Sequence, residues 1–243
     1  MSQRSRRGSF NKIKTVRIAL LITTHERPEI TDICFQGVQR GQFIFESLGL
    51  KLVPYIAVSD TSNLDVAKSY QFNIYLTKND EIGRKHNELL AHALNDDWAY
   101  MMQLGSDDLI TDAGWLRLAA CIIENRLAFG FTSMYYWKYN SAELKYYSGS
   151  LVFGAGRTLR RDVVENTLEV FDKFWPDHQM RGLDGASASR FSRAWQIKKG
   201  FPLKIIPMKS ANVIDIKSAT NINRWENVEG RPLKYKKLTD EMP

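Results

Sequence analysis

The stretch Trp98–Asp108, WAYMMQLGSDD, decides the fold. Trp98 to Leu104 reads as a strand buried on both faces, and it runs into a polar turn with two adjacent carboxylates, Asp107 and Asp108. The same construction recurs upstream. Val16 to Thr23 is a continuous apolar run that ends in Thr24-His25-Glu26-Arg27-Pro28, and Lys51 to Ser59 (KLVPYIAVS) ends at Asp60, with Pro54 marking an edge or a bulge. Phe72 to Leu76 reads as a further short strand. Helical periods lie between these runs. Ile30 to Leu48 carries apolar residues at helical spacing and can close at Gly49, although Gly37 and Gly41 weaken it. Residues 81–94 place Ile82, His86, Leu89, Leu90, Ala93 and Leu94 on one face, with Asn79 or Asp80 available as cap. Strands alternating with helices predict an α/β fold with a mostly parallel central sheet flanked by helices.

Downstream, the pattern predicts a helix from about Asp112 to Arg126, then two or three antiparallel strands within the aromatic-rich stretch Ala128 to Phe153. A helix over Arg161 to Phe171, a loop to Leu183, a helix from about Gly185 to Lys198 closed by Gly200, and late strands at Leu203–Pro207 and Ala211–Ile216 follow. The expectation is a basic arm over 1–14, one domain over 15–225 and a basic tail over 226–243. Within the domain, the expectation is a parallel half (15–125) fused to a smaller antiparallel, α+β half (126–225) in one sheet.

The 243 residues are 44% hydrophobic and 12% aromatic, too apolar for intrinsic disorder. Two cysteines, Cys34 and Cys121, allow at most one disulfide, and their apolar settings favour free thiols. The basic leader and the run after it resemble a signal peptide only superficially, since the run is short and no small-residue cleavage site follows. No stretch approaches the apolar length that spans a bilayer. The expectation is a soluble, cytoplasmic protein with room for peripheral membrane contact. The net charge of +7 attracts phosphates, anionic lipid or nucleic acid without naming a partner. Its basic residues are dispersed rather than striped, which disfavours a nucleic-acid binder using Lys234, Lys236 and Lys237 with Tyr135, Tyr136 and Trp137.

Several chemistries are excluded. The first strand-to-helix turn holds no glycine, so it is no dinucleotide fingerprint, and the Gly154-Ala155-Gly156 pair lacks a third glycine. No Walker A, GxSxG or HExxH occurs, and His25, His86, His92 and His178 have no zinc spacing. Asp107-Asp108 remains. Carboxylates beyond the carboxyl end of a parallel strand face the crevice where open α/β sheets bind ligands, and two together suit a hard divalent cation. Taken alone, such a pair more often marks an Asx-turn or a helix cap.

The ordered series of strand plus Thr23-Thr24, strand plus Asp60, the NDEIGRKHN helix start and strand plus GSDD resembles a GT-A type glycosyltransferase, most like the large family 2. The resemblance covers roughly residues 15 to 120, and more loosely to about 220. It implies a nucleotide-sugar donor, a UDP-sugar being the commonest class, with Mn2+ or Mg2+ at the diphosphate. Thr23, Thr24 and Ser106 would then line the nucleotide pocket with Arg27 nearby, Asp60 would accept from the base, Gly83 and Lys85 would approach the nucleotide, and Asn87 would fix the helix start. Asp107 would be the metal ligand, with Asp108 supporting it or the sugar. Gly105 stands where the family pattern has its first acid, which puts strict metal dependence in question. An inverting member needs a carboxylate base, and Asp184 in RGLDGAS occupies the comparable place, where it also suits an N-cap for a helix starting at Gly185.

Gly154 and Gly156 would let backbone approach an acceptor sugar, and Arg157, Arg160 and Arg161 would meet phosphate or simply form a charged helix start. Asp215 and Lys217 fall near the implied site, with a late edge strand the simpler reading. His178 is a candidate late metal ligand, with a solvent-facing loop histidine the simpler reading. Asn221-Ile-Asn-Arg-Trp only approximates the QxxRW of processive synthases. The acceptor stays open among sugar, lipid-linked and protein classes. Two other readings stay open: a non-catalytic GT-A-like binding protein with a decayed metal site, and a sugar-phosphate nucleotidyltransferase.

Overall fold

The computed structural model describes residues 15–179, 182–210, 212–218, 221 and 225–233. The arm, most of the tail with its lysines, and residues 222–224 of the QxxRW-like segment lie outside the described residues. Among the described residues the elements run β1 (Val16–Thr23), α1 (Pro28–Ser47), β2 (Leu50–Val58), α2 (Thr61–Lys68), β3 (Asn73–Leu76), α3 (Ile82–Ala93), β4 (Tyr100–Gly105), β5 (Asp108–Ile110), α4 (Asp112–Ile123), β6 (Ala128–Phe131), β7 (Ser133–Lys138), β8 (Leu144–Ser148), β9 (Thr158–Arg160), α5 (Arg161–Phe171), α6 (Leu183–Lys199), β10 (Ile205–Met208), β11 (Val213–Lys217) and β12 (Arg231–Leu233).

Seven strands form one sheet in the order β10-β6-β9-β4-β1-β2-β3. β1 lies between β2 and β4, parallel to both, and β9 inserts antiparallel between β4 and β6. The apolar run of β1 is buried because helices cover both its faces. Ile18, Leu20 and Ile22 pack with Phe35, Val38 and Phe45 of α1 and Trp115 of α4, while Ala19 and Leu21 pack with Leu89 and Leu90 of α3, Val163 of α5 and Phe191 of α6. The helix-weakening glycines of α1 have a packing reason. A Cβ at Gly41 would lie 2.6 Å from the Trp115 indole, and one at Gly37 would lie 2.4 Å from Leu109, so both let α1 come close to the α4–β5 region.

The remaining strands form a second sheet, β12-β8-β7-β11-β5. Here the structure departs from the expected single fused sheet. β5 from the first half joins this sheet, and β6, β9 and β10 from the second half complete the first one, so the two halves interlock. β11 is interior, parallel to β7 and antiparallel to β5, and is not the expected edge strand.

Pro54 also sits in an interior strand. Pairing of β2 with β3 begins only at Tyr55, and the Pro54 carbonyl on that side accepts from the Asn73 side-chain amide, so no ladder N–H is needed there. Helix α2 and the short β5 and β9 had no sequence expectation. Cys34 and Cys121 are free. No described helix is long and apolar enough to cross a membrane.

Candidate functional site

Thr23 ends β1 directly beside Gly105 at the end of β4, so both strands deliver their following residues to one edge of the parallel sheet. A cleft of about 930 Å³ opens there, lined by residues that include Thr23, Thr24, Arg27, Lys85, Ser106, Asp107, Asp184, Lys217 and Asn221. This is the edge where open α/β sheets bind ligands.

Strand pairing builds an acidic cluster. The Ile216 amide donates to the Asp107 carbonyl at 2.7 Å, and the antiparallel register of β5 and β11 sets Asp108 opposite Asp215. Asp107, Asp108 and Asp215 each bring a carboxylate oxygen to within 4.8 Å of the others. Gly105 is a requirement of this geometry. The Asp108 carboxylate folds back to accept the Gly105 amide at 2.8 Å, and a Cβ on Gly105 would lie 2.6 Å from Asp108 Oδ2 and 2.7 Å from Asp107 Oδ1. The acid missing from position 105 is balanced by Asp215, which the sequence placed near the site but on an edge strand.

Two cations answer the three carboxylates. Arg27 Nη1 donates to Asp107 Oδ2 at 2.7 Å, and Lys217 Nζ pairs with Asp215 Oδ2 at 2.6 Å. Asn221 donates a further bond to Asp107 Oδ2 at 2.7 Å. Burial works against a charge on Asp107, but Arg27 and Lys217 outweigh it and hold its pKa below the usual value. Burial, then the neighbouring Asp215 and Asp107, push Asp108 well up, and Asp215 is raised to about 6, mainly by burial. Asp215 Oδ1 is buried with no hydrogen-bond partner among the described residues, and each of the three acids has only one oxygen occupied by the bonds described. A surplus carboxylate and an unsatisfied buried oxygen fit a divalent cation of the hard, oxygen-ligating kind.

Asp184 lines the same cleft from the first turn of α6. The helix cap is Gly182 in the left-handed region, so Asp184 lies inside the helix and is not its N-cap. Its Oδ2 accepts the Gly154 amide at 2.7 Å, and its side chain keeps 46% of its surface exposed. Gly154 therefore meets a carboxylate: a Cβ there would lie 2.4 Å from Asp184 Oδ1. Arg157 does not face a phosphate. Its guanidinium is buried and donates to the Asp184 carbonyl, Gln103 Oε1 and Ser187 Oγ. Arg160 and Arg161 are paired with Asp162 and Glu165.

Of the nucleotide-side residues, Lys85 is buried, not solvated, and its ammonium donates to the Thr24 carbonyl at 3.1 Å and Ser59 Oγ at 2.9 Å. Burial lowers its pKa. Ser106 lies 3.4 Å from Arg27 Nη2. Three residues fall outside the cleft lining. Asp60 caps α2, accepting from the Asn63 amide at 2.9 Å, and bonds from Asn63, Ser62 and Glu26 outweigh the opposing effect of burial to lower its pKa to about 2. Asn87 clamps the Trp175 backbone in both directions, and Gly83 sits against the Pro176 carbonyl, where a Cβ would come within 1.9 Å. Asn79 and Asp80 do not cap α3 through N-cap geometry; Glu81 holds that position. Gly156 turns the chain at φ +78° against Phe131. His178 is exposed beside Glu81. The sequence expectations omitted Gln103 and gave Asn221 and Lys217 no role. The alternation of Val213, Asp215 and Lys217 on one strand face was the available signal.

No protein-family model matches the chain, and no curated protein does. Solved structures do. TarS 1-349 from S. aureus superposes with a TM-score of 0.59 at 12% identity over 83% of this chain and 60% of that one, and a longer TarS structure with 0.61 at 12% over 84% and 37%. The mannosyltransferase PcManGT from Pyrobaculum calidifontis, solved with GDP-Man and Mn2+, gives 0.55 at 10% over 86% and 59%. The 4-diphosphocytidyl-2C-methyl-D-erythritolsynthase from Anaerococcus prevotii gives 0.50 at 9% over 88% and 90%. The chain thus spans three fifths or less of TarS and PcManGT. Its fold is GT-A-like, a mostly parallel central sheet flanked by helices with a second sheet beside it.

Proposed function

Starting from a GT-A-like fold with an acidic cluster at its ligand-binding edge, we propose that this protein transfers a sugar from a nucleotide-sugar to an acceptor hydroxyl with inversion. The observation that carries the reading is that Asp107, clustered with Asp108 and Asp215, lines the same cleft as the partly exposed carboxylate of Asp184. The neighbour solved with GDP-Man and Mn2+ supports a nucleotide-sugar donor. UDP- and GDP-sugars are the donor classes to test, and Mn2+ or Mg2+ the ions.

Asp107, Asp108 and Asp215 would hold the cation, whose charge neutralises the diphosphate as it leaves. Lys85, Arg27 and Lys217 add positive charge along the same wall for the donor's phosphates. Asp184 accepts the acceptor hydroxyl's proton as the acceptor oxygen bonds to the anomeric carbon and the bond from that carbon to the phosphate oxygen breaks. The nucleoside diphosphate departs with the electron pair. The Gly154 amide and, at 3.6 Å, the Arg157 guanidinium hold the Asp184 carboxylate in place, leaving it partly open to the cleft. Donor residues come mainly from 15–125 and the base from 126–225, while β11 reaches back to complete the donor side.

The test is release of UDP or GDP from UDP- or GDP-sugars in the presence of Mn2+. The reading expects one nucleotide to be released and Asp107→Asn to abolish its release. No release from any nucleotide-sugar, with or without acceptor extract, would overturn it.

A further inference from the structure

β7 and β8 carry a run of aromatic side chains that the donor chemistry does not use. Asp108, Asp215, Tyr136 and Lys145 stand in register across β5, β11, β7 and β8, so their side chains share one face of the second sheet. From the acidic cluster the face continues as rings. Lys217 Nζ sits 5.4 Å from the centre of the Tyr136 ring, Tyr136 and Tyr147 are 6.1 Å apart with planes at 43°, and Tyr147 and Phe153 are 5.7 Å apart at 42°. Phe153 precedes Gly154, whose amide holds Asp184. The three rings therefore run from the cation-holding acids to the residues that position the base. They rest on the core below, and each stays partly exposed.

The chemistry of the strip is that of a sugar platform. Ring faces match the C–H face of a pyranose, and the phenol groups suit its hydroxyls; neither Tyr136 nor Tyr147 spends its hydroxyl on a hydrogen bond among the described residues. The lysines nearby are engaged. Lys138 pairs with Glu143, Lys145 donates to the Trp225 and Val228 carbonyls, and Lys217 pairs with Asp215. We propose that Tyr136, Tyr147 and Phe153 form the acceptor subsite and that the acceptor presents a neutral sugar ring to it. This rests on the transferase reading, which supplies the need for an acceptor beside Asp184.

The experiment titrates methyl glycosides of glucose, galactose, mannose and N-acetylglucosamine, with glucose 6-phosphate as the anionic comparator, by ligand-detected NMR in the presence of UDP or GDP and Mn2+. At least one neutral glycoside is expected to bind, with affinity falling about tenfold in Tyr147→Leu and by a smaller step, about threefold, in Tyr147→Phe, which keeps the ring and loses only the phenol, while the nucleotide affinity of both stays at the wild-type value. Phe153→Leu gives the same loss and serves where Tyr147→Leu does not fold. Binding of glucose 6-phosphate alone, binding of no glycoside, or an unchanged affinity in both leucine variants would overturn the subsite. Sugar binding that persists where no nucleotide binds would support the platform and reject the transferase.

Discussion

Asp215 stands opposite Asp108 in the antiparallel pairing of β11 with β5, and so a strand some hundred residues downstream supplies the third carboxylate to a turn that ends β4. The Asp215 Oδ1 atom has no hydrogen-bond partner among the described residues, whereas its Oδ2 is held by Lys217. Asp215→Asn keeps the shape and removes the charge. Mn2+ affinity, read by electron paramagnetic resonance on the nucleotide-bound protein, is expected to fall about ten- to hundredfold. An unchanged affinity would remove Asp215 from the cation site.

Gly154→Ala tests how Asp184 is positioned. The added methyl would lie 2.4 Å from Asp184 Oδ1 and 3.1 Å from Gln103 Nε2, so the carboxylate must move. The expected result is a fall in kcat of about a hundredfold with nucleotide affinity retained, because a displacement on the ångström scale at a reacting group costs that much. Equal losses in both would show that the glycine supports the fold generally.

Arg157→Ala separates two roles for one arginine. A phosphate contact would show as lost affinity in a stable protein. The buried guanidinium, bonded to Asp184, Gln103 and Ser187, predicts the reverse, a loss of about 3 kcal/mol in urea unfolding, with the folded fraction still binding nucleotide.

His86 gives the protein an acid-sensitive element. Burial, reinforced by Arg157 and Lys85, lowers its pKa to about 3, and its ring stacks on Trp175. The unfolded chain binds this proton below about pH 6.5 and the folded one only near 3, so stability is complete above 6.5 and is lost as pH falls across that window. Each pH unit inside it is worth about 1.4 kcal/mol. Urea midpoints between pH 7 and 4 measure the slope, and His86→Phe is expected to flatten it. An equal slope in that variant assigns the acid sensitivity to other groups.

Much of the fold was legible because the apolar period is strong. β1, α1, α3, α4 and α5 fall within a few residues of their expected bounds, and the polar turns after β1 and β4 meet at one edge. Local pattern could not show pairing between distant strands, and that is where the reading failed. Asp215 and Lys217 reach the acidic cluster only through the β11–β5 register, Arg157 is buried because α6 closes over it, and Asp60 is occupied because it caps a helix too short to show a period. Glycines misled in one direction. Gly83 and Gly154 were expected to admit a ligand, yet both admit protein atoms, the Pro176 carbonyl and the Asp184 carboxylate.

The most direct measurement of the central claim is thermal stability with UDP, GDP and CMP, each with and without Mn2+, on the wild type, Asp107→Asn and Asp215→Asn. At a ligand concentration about 100-fold above Kd, binding stabilises by about 2.7 kcal/mol. The account predicts a Mn2+-enhanced stabilisation by one nucleotide in the wild type that both variants lose. No stabilisation by any nucleotide, or a metal enhancement that survives in both variants, would contradict it.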